Sequence, residues 1–247
     1  MPAHLGIVAC SPPGAALCFE LLSTGASALT SSGGSHIEIS MHSHPLSEYM
    51  RSIDAGDWDG VAQLMLSSAG KLASIGAEFL VAPCNTIHTA FDRVAAESPL
   101  PWLHIAAEVA SEAQTRGYKR VGLLGTMFMM EGSVYPSQLR RYGIDSHIPE
   151  AAERKRLNRF IFDEMVHGEF SVEAREQALD LLQAMHRQEC DAVGLCCTEL
   201  PLLLRGIESP LPVLDSTTIL AQAALKVLEG KKPLATATVN RAPGHAW

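Results

Sequence analysis

Two apolar runs in this chain each end on a cysteine and then on small hydrogen-bonding residues. The first covers residues 79–82 and leads through Pro83 to Cys84, Asn85 and Thr86. The second covers 192–195 and leads to Cys196, Cys197, Thr198 and Glu199. Short apolar runs bounded by turn residues read as buried strands. α/β sheets place their chemistry at the carboxyl ends of such strands, so the two cysteines are the first candidates for reactive groups. A matching pair of openings precedes them, Leu5-Gly6-Ile7-Val8 and Val121-Gly122-Leu123-Leu124. Gly6 lies 78 residues before Cys84, and Gly122 lies 75 before Cys197. The shared order and near-equal spacing point to one topology used twice, with two thiols facing a single substrate.

Between these landmarks, strand and helix patterns alternate. Strands are expected at 4–9, 37–41, 79–82, 102–105, 120–124, 144–148, 192–195 and 211–214. Helices are expected at 15–22, 58–75, 90–96, 109–116, 131–142, 150–166, 172–187 and 217–228. The second of these helices carries Val61, Leu64, Met65, Ala69 and Leu72 at helical spacing and stops at Gly76. Residues 23–34, rich in Ser, Thr and Gly, read as loop. Such alternation implies parallel sheets flanked by helices. The expected fold is α/β, with two similar Rossmann-like lobes related by a pseudo-twofold and an active site in the cleft between them. Residues 1–102 with 210–230 make one lobe in this reading, 103–209 the other, and 231–247 a flexible tail.

Composition narrows the partners. The chain is 47% hydrophobic and 19% charged, enough apolar surface for a substantial core. Its net charge of −8 opposes non-specific nucleic-acid binding, which needs a basic surface. No apolar run approaches the roughly 20 residues of a membrane-spanning helix. With no secretory pattern at the N-terminus, the expected setting is the cytoplasm, with the six cysteines as free thiols. There is neither a G-x-G-x-x-G fingerprint nor a P-loop, so no nucleotide cofactor is expected. His42 and His44 have no third ligand at a telling spacing, so no metal is expected either.

Paired thiols suit one reaction in particular. A thiolate on one side of a carbon removes its proton while a thiol on the other side supplies one, and the stereocentre inverts. Thiols titrate near pH 8.5, so each needs help to act near neutrality, and a helix N-terminus just after each cysteine supplies it. Asn85, Thr86 and Thr198 are candidate donors to a substrate carboxylate. Ser11 and Thr126 stand at equivalent strand ends and are candidates for the carboxylate or the amino group, or else are turn and capping residues. Glu199 either orients Cys197, holds a substrate ammonium, or complements a helix dipole. His88 is a supporting neighbour of Cys84 or an ordinary helix residue. Cys196 points away from Cys197 along a strand and reads as a core thiol.

Pro83-Cys84-Asn85-Thr86-x-His88, together with Cys197-Thr198-Glu199, resembles the paired motifs of the aspartate/glutamate racemase family. The Gly6-Ile7-Val8 strand, the 122–126 segment and the 211–217 segment fit the same pattern in order, so the resemblance extends to about Leu228. It implies a cofactor-independent amino-acid racemase with no pyridoxal phosphate and no metal, Cys84 and Cys197 as its two bases, and a homodimer. The substrate is then a small amino acid or related carboxylate, with aspartate or glutamate leading. Isomerases, decarboxylases and hydantoin racemases of the same superfamily are the alternatives, as is a non-catalytic amino-acid-binding protein. The chain departs from the family at Ala9-Cys10-Ser11-Pro12-Pro13-Gly14, where many members have a Gly-Gly-Met-Ser type of sequence. It also departs near Leu46 and Val166. Some aspartate-selective members supply cations there; this chain is apolar, with His42, His44 and His167 nearby as candidate substitutes.

Overall fold

The computed structural model describes residues 4–29 and 37–234. The first half runs β1 (His4–Ala9), α1 (Pro12–Leu29), β2 (Glu38–Ser43), α2 (Leu46–Asp54), α3 (Trp58–Ser74) and β3 (Phe79–Val81). It continues through a 3-10 turn (Thr86–Ala90), α4 (Phe91–Glu97) and α5 (Ile105–Thr115). The second half runs β4 (Arg120–Gly125), α6 (Met127–Glu131), α7 (Val134–Arg140), β5 (Asp145–His147) and α8 (Ala151–Asp163). A 3-10 turn (Met165–His167), α9 (Val172–Arg187), β6 (Ala192–Cys196), α10 (Leu200–Leu203), β7 (Val213–Asp215) and α11 (Ser216–Leu228) complete it.

Both sheets are parallel, ordered β2-β1-β3 and β5-β4-β6-β7. Each Gly-apolar strand lies directly beside a cysteine strand, with Gly6 opposite Leu80 and Gly122 opposite Val193. Trp102 forms a single parallel bridge to Leu80. That bridge takes the place beside β3 that β7 takes beside β6, so the internal repeat reaches the last strand of each half.

The helix that closes each half packs on the sheet of the other. Ala106, Val109 and Ala110 of α5 share a core with Val121 and Leu123 of β4. Leu220 and Ala224 of α11 share one with Leu5 and Ile7 of β1 and Phe79 of β3. Each fully buried Leu, Ile or Phe contributes about 1.5–3 kcal/mol, so these exchanged helices bind the lobes together. The sequence grouping of 210–230 with the first lobe needs correction at its start. β7 hydrogen-bonds to β6, and Leu214 is wholly buried in the second core. The chain therefore returns to the first lobe at Ser216.

Other differences have local causes. The expected loop over 23–34 is helical to Leu29, and 30–34 lies outside the described residues. The Ser23 and Thr24 hydroxyls donate to the carbonyls of Phe19 and Glu20, which accommodates both inside the helix. Gly25 lets α11 approach: a side chain there would come within 2.5 Å of Leu225. The expected strand at 102–105 shrinks to one bridge because the His104 ring accepts from the Ala107 N–H and caps α5. The helix expected over 131–142 is two helices broken at Gly132 and Ser133, and that expected over 150–166 ends at Asp163. Of the expected tail, 235–247 lies outside the described residues.

Candidate active site

Four strand ends converge. β1 delivers Cys10 and Ser11, β3 delivers Cys84, β4 delivers Thr126, and β6 delivers Cys197. Pro12 opens α1 at once, with its φ already set for a helix. Gly14 lets that first turn lie against Thr198; an added Cβ would overlap the Thr198 side chain. The cavity so formed encloses about 420 Å³, counting its open mouth. Ser11, Cys84, Asn85 and Thr86 line it from the first half, and Thr126, Cys197, Thr198 and Glu199 from the second.

Hydrogen bonds stitch the halves together across this cavity. The Ser11 hydroxyl donates to Glu199 Oε1, 188 residues away in the chain. The other carboxylate oxygen accepts from the Cys197 thiol at 3.0 Å and from the Thr198 hydroxyl at 2.8 Å. Both oxygens of this buried carboxylate thus have partners inside the protein, which orients Cys197. Thr86 Oγ1 and Thr126 Oγ1 lie 3.0 Å apart and bridge the lobes on a second line.

The Asn85 side chain has a different fate from the one its position suggests. Its Oδ1 accepts from the Tyr135 hydroxyl at 2.5 Å, and its Nδ2 donates to Ser216 Oγ at 3.1 Å. Ser216 in turn donates to the Leu195 carbonyl at 2.7 Å. The amide is therefore engaged with the second half, which leaves its main chain as the part available to a ligand. Tyr135 and Ser216 are supports that sequence reading missed. Both are fully buried, and no local pattern in the sequence marks either.

His88 fixes the other cysteine loop. Its Nδ1 lies 3.0 Å from the Cys84 carbonyl, and its Nε2 accepts from the Ile105 N–H at 3.4 Å. Those partners define a neutral imidazole with the proton on Nδ1. Burial, with His104 adding to it, lowers the His88 pKa to about 3. The residue is an anchor at neutral pH, not a proton carrier.

The two thiols sit in unlike settings. Cys84 is half-buried. Cys197 is buried, and burial pushes its thiol well above the ordinary range, with the Glu199 carboxylate adding to the rise. Cys10, also in the cavity wall, is held high first by its contact with the Cys84 sulfur and then by burial. The helix N-termini expected behind the cysteines are a five-residue 3-10 turn and the four-residue α10. A single turn offers little dipole, so it contributes less than the sequence reading assigned to it. Cys196 is buried in the second core with its thiol directed to the Gly194 carbonyl, although part of the residue borders the cavity. Among the described residues, no group of three or more His, Cys, Asp or Glu is placed to hold a metal ion. No helix of the described residues is long and apolar enough to cross a membrane.

Two parallel sheets with mirrored cysteine strands and a shared cavity define a class, and comparison with known proteins agrees. Residues 7–224 match the Asp/Glu/Hydantoin racemase family, and the chain belongs to it. That membership makes it an amino-acid racemase, an isomerase of a class that uses no pyridoxal phosphate. Among its relatives is the broad specificity amino-acid racemase RacX of Bacillus subtilis, 25% identical over 169 residues. That match spans 68% of this chain and 73% of the relative. A putative Asp/Glu racemase from Yersinia pestis superposes with a TM-score of 0.82 at 29% identity, over 92% of this chain and 99% of the other. The aspartate racemase of Picrophilus torridus superposes with a TM-score of 0.74 at 26% identity, over 93% and 95% of the two chains.

Proposed function

We propose that this racemase inverts the α-carbon of a free amino acid with Cys84 and Cys197 as its two acid/base groups, and without a cofactor. The observation that carries the reading is that both cysteines, from equivalent strand ends of the two halves, line one cavity. The Cys84 thiolate takes the Cα proton of one enantiomer, and the electron pair left behind is delocalised into the α-carboxylate. Cys197, whose raised pKa keeps it protonated at rest, returns its own proton to the opposite face. Cys84 then holds the abstracted proton and Cys197 is the thiolate, so the same steps run in reverse on the other enantiomer.

The α-carboxylate needs donors that are already in place as its charge grows. The Thr86–Thr126 hydroxyl pair, which keeps one proton free beyond the bond between them, and the main chain at Asn85 and Thr198 are the groups assigned to it. Ser11 supports them by holding Glu199, and Glu199 positions Cys197. The free state of all six thiols supports a reducing, cytoplasmic setting. The resemblance to racemases that pair as dimers supports a homodimer, which sedimentation of the purified chain tests.

Exchange of Cα–H for deuterium, followed from each pure enantiomer, tests the mechanism. Cys84→Ser and Cys197→Ser are each expected to lose racemisation by about 10²–10⁴-fold. Wild-type racemisation in both variants would remove the thiols from the reaction.

A further inference from the structure

The cavity wall divides by chemistry. Sulfurs and hydroxyls from the strand ends make one part. Leu46, Met50 and Ile53 of α2 and Ile161, Phe162 and Val166 from the second half make the rest. The three α2 residues recur at positions i, i+4 and i+7, so they form one continuous stripe. Among the described residues that line the cavity there is no lysine, arginine or histidine, and the one charged residue is the anionic Glu199. His167 follows Val166 but is exposed and does not line the cavity, and the two histidines before Leu46 are engaged elsewhere. His42 bonds to Ser68 at 2.9 Å and lies 3.0 Å from Lys71 Nζ, and His44 lies 3.1 Å from Ser67.

An α-amino acid brings one carboxylate and one ammonium to any such site, and the hydroxyl side of the cavity serves them. The side chain then faces what remains. A second carboxylate placed against Leu46, Met50 and Val166 gives up its water without gaining a cation, and an unpaired charge in an apolar setting is costly. Glu199 adds like-charge repulsion. An aliphatic or thioether side chain gains from the same transfer.

We propose that the substrate carries an apolar side chain of the leucine or methionine type, seated on the α2 and α8 wall, and that aspartate and glutamate are discriminated against. The proposal rests on the two-thiol reading above and names the substrate class of that same site.

The test uses the full chain with no added cofactor. Loss of the Cα–H signal in D2O is followed by NMR for both enantiomers of leucine, methionine, aspartate and glutamate. Binding of each is measured in parallel by calorimetry. Leucine or methionine is expected to exceed both acids in kcat/KM by about 100-fold or more. Aspartate or glutamate turning over as well as either apolar amino acid overturns the proposal. Leu46 is half-buried, so Leu46→Arg brings a guanidinium to the wall without burying it fully. It is expected to narrow the preference by at least about tenfold. An unchanged preference in a variant with the wild-type circular dichroism spectrum overturns the seating on this wall. Binding of leucine or methionine with no exchange removes the two-thiol reading and retains the apolar site. Neither binding nor exchange of leucine and methionine removes the apolar site itself.

Discussion

Replacing Gly14 with alanine introduces one methyl group at the point where α1 meets the Cys197 loop. The new Cβ stands 2.7 Å from Thr198 Cγ2 and closer still to Thr198 Cβ and Oγ1. Ordinary carbon–carbon contact is about 3.5–4.0 Å, so Thr198 must retreat by about 1 Å. Thr198 is not free to swing, because its hydroxyl is held by Glu199, which also holds Cys197 and Ser11. The retreat therefore displaces the sulfur or breaks the network around it. Overpacking of this kind costs about 1–3 kcal/mol of stability, and a reacting group misplaced by about 1 Å loses about 10²-fold in rate. Urea unfolding and deuterium exchange at Cα read the two effects separately. Gly70→Ala is the control, since nothing lies within 4 Å of its added Cβ on the exposed face of α3. That variant is expected to gain about 0.5–1 kcal/mol and keep its activity. A Gly14→Ala protein as stable and as active as wild type would refute the reasoning, because the two loops would then have room to part.

Two further outcomes follow from the titrating groups. His88 has a folded-state pKa of about 3 against 6.5 in the unfolded chain, so the unfolded chain takes up the proton first. Its contribution is intact above about pH 6.5 and is lost as the pH falls toward 3. At pH 5 the loss is about 2 kcal/mol, and urea midpoints at pH 7 and pH 5 should drop less for His88→Gln than for wild type. Equal drops would free His88 from this role. Glu199→Gln removes the charge that, after burial, raises the Cys197 thiol. In the direction where Cys197 takes the substrate proton, the rise of kcat with pH should move to lower pH. A limb that stays in place belongs to another group.

The parts legible in the sequence were those with strong local signals. The cysteine strands announce themselves by apolar runs that stop on polar residues. α3 and α9 follow from their helical spacing, with Ser171 capping the latter through its bond to the Ala174 N–H. α2 was not read, although Leu46, Met50 and Ile53 recur at helical spacing, because Pro45 and the charged residues between them resemble a surface loop. The cost of that miss falls on the site, since α2 supplies much of the apolar wall. The engagement of Asn85 with Tyr135 and Ser216 joins residues 50 and 131 positions apart, and no local pattern carries such a partnership. The division at 103 and 210 already groups α5 with the second lobe and α11 with the first; the strand it misplaces is β7, whose partner β6 lies in the second sheet.

The exchange of α5 and α11 between sheets has a consequence for how the molecule can be divided. A cut between α5 and β4 leaves each fragment carrying a helix meant for the other's sheet, with one face of its own sheet covered only in part, by α1 in the first half and α7 in the second. Neither fragment is a self-sufficient unit, and the two are expected to recover order only when mixed. The distance between the two thiols is then inherited from assembly of the whole polypeptide, so separate evolution or separate production of one half is closed to this protein.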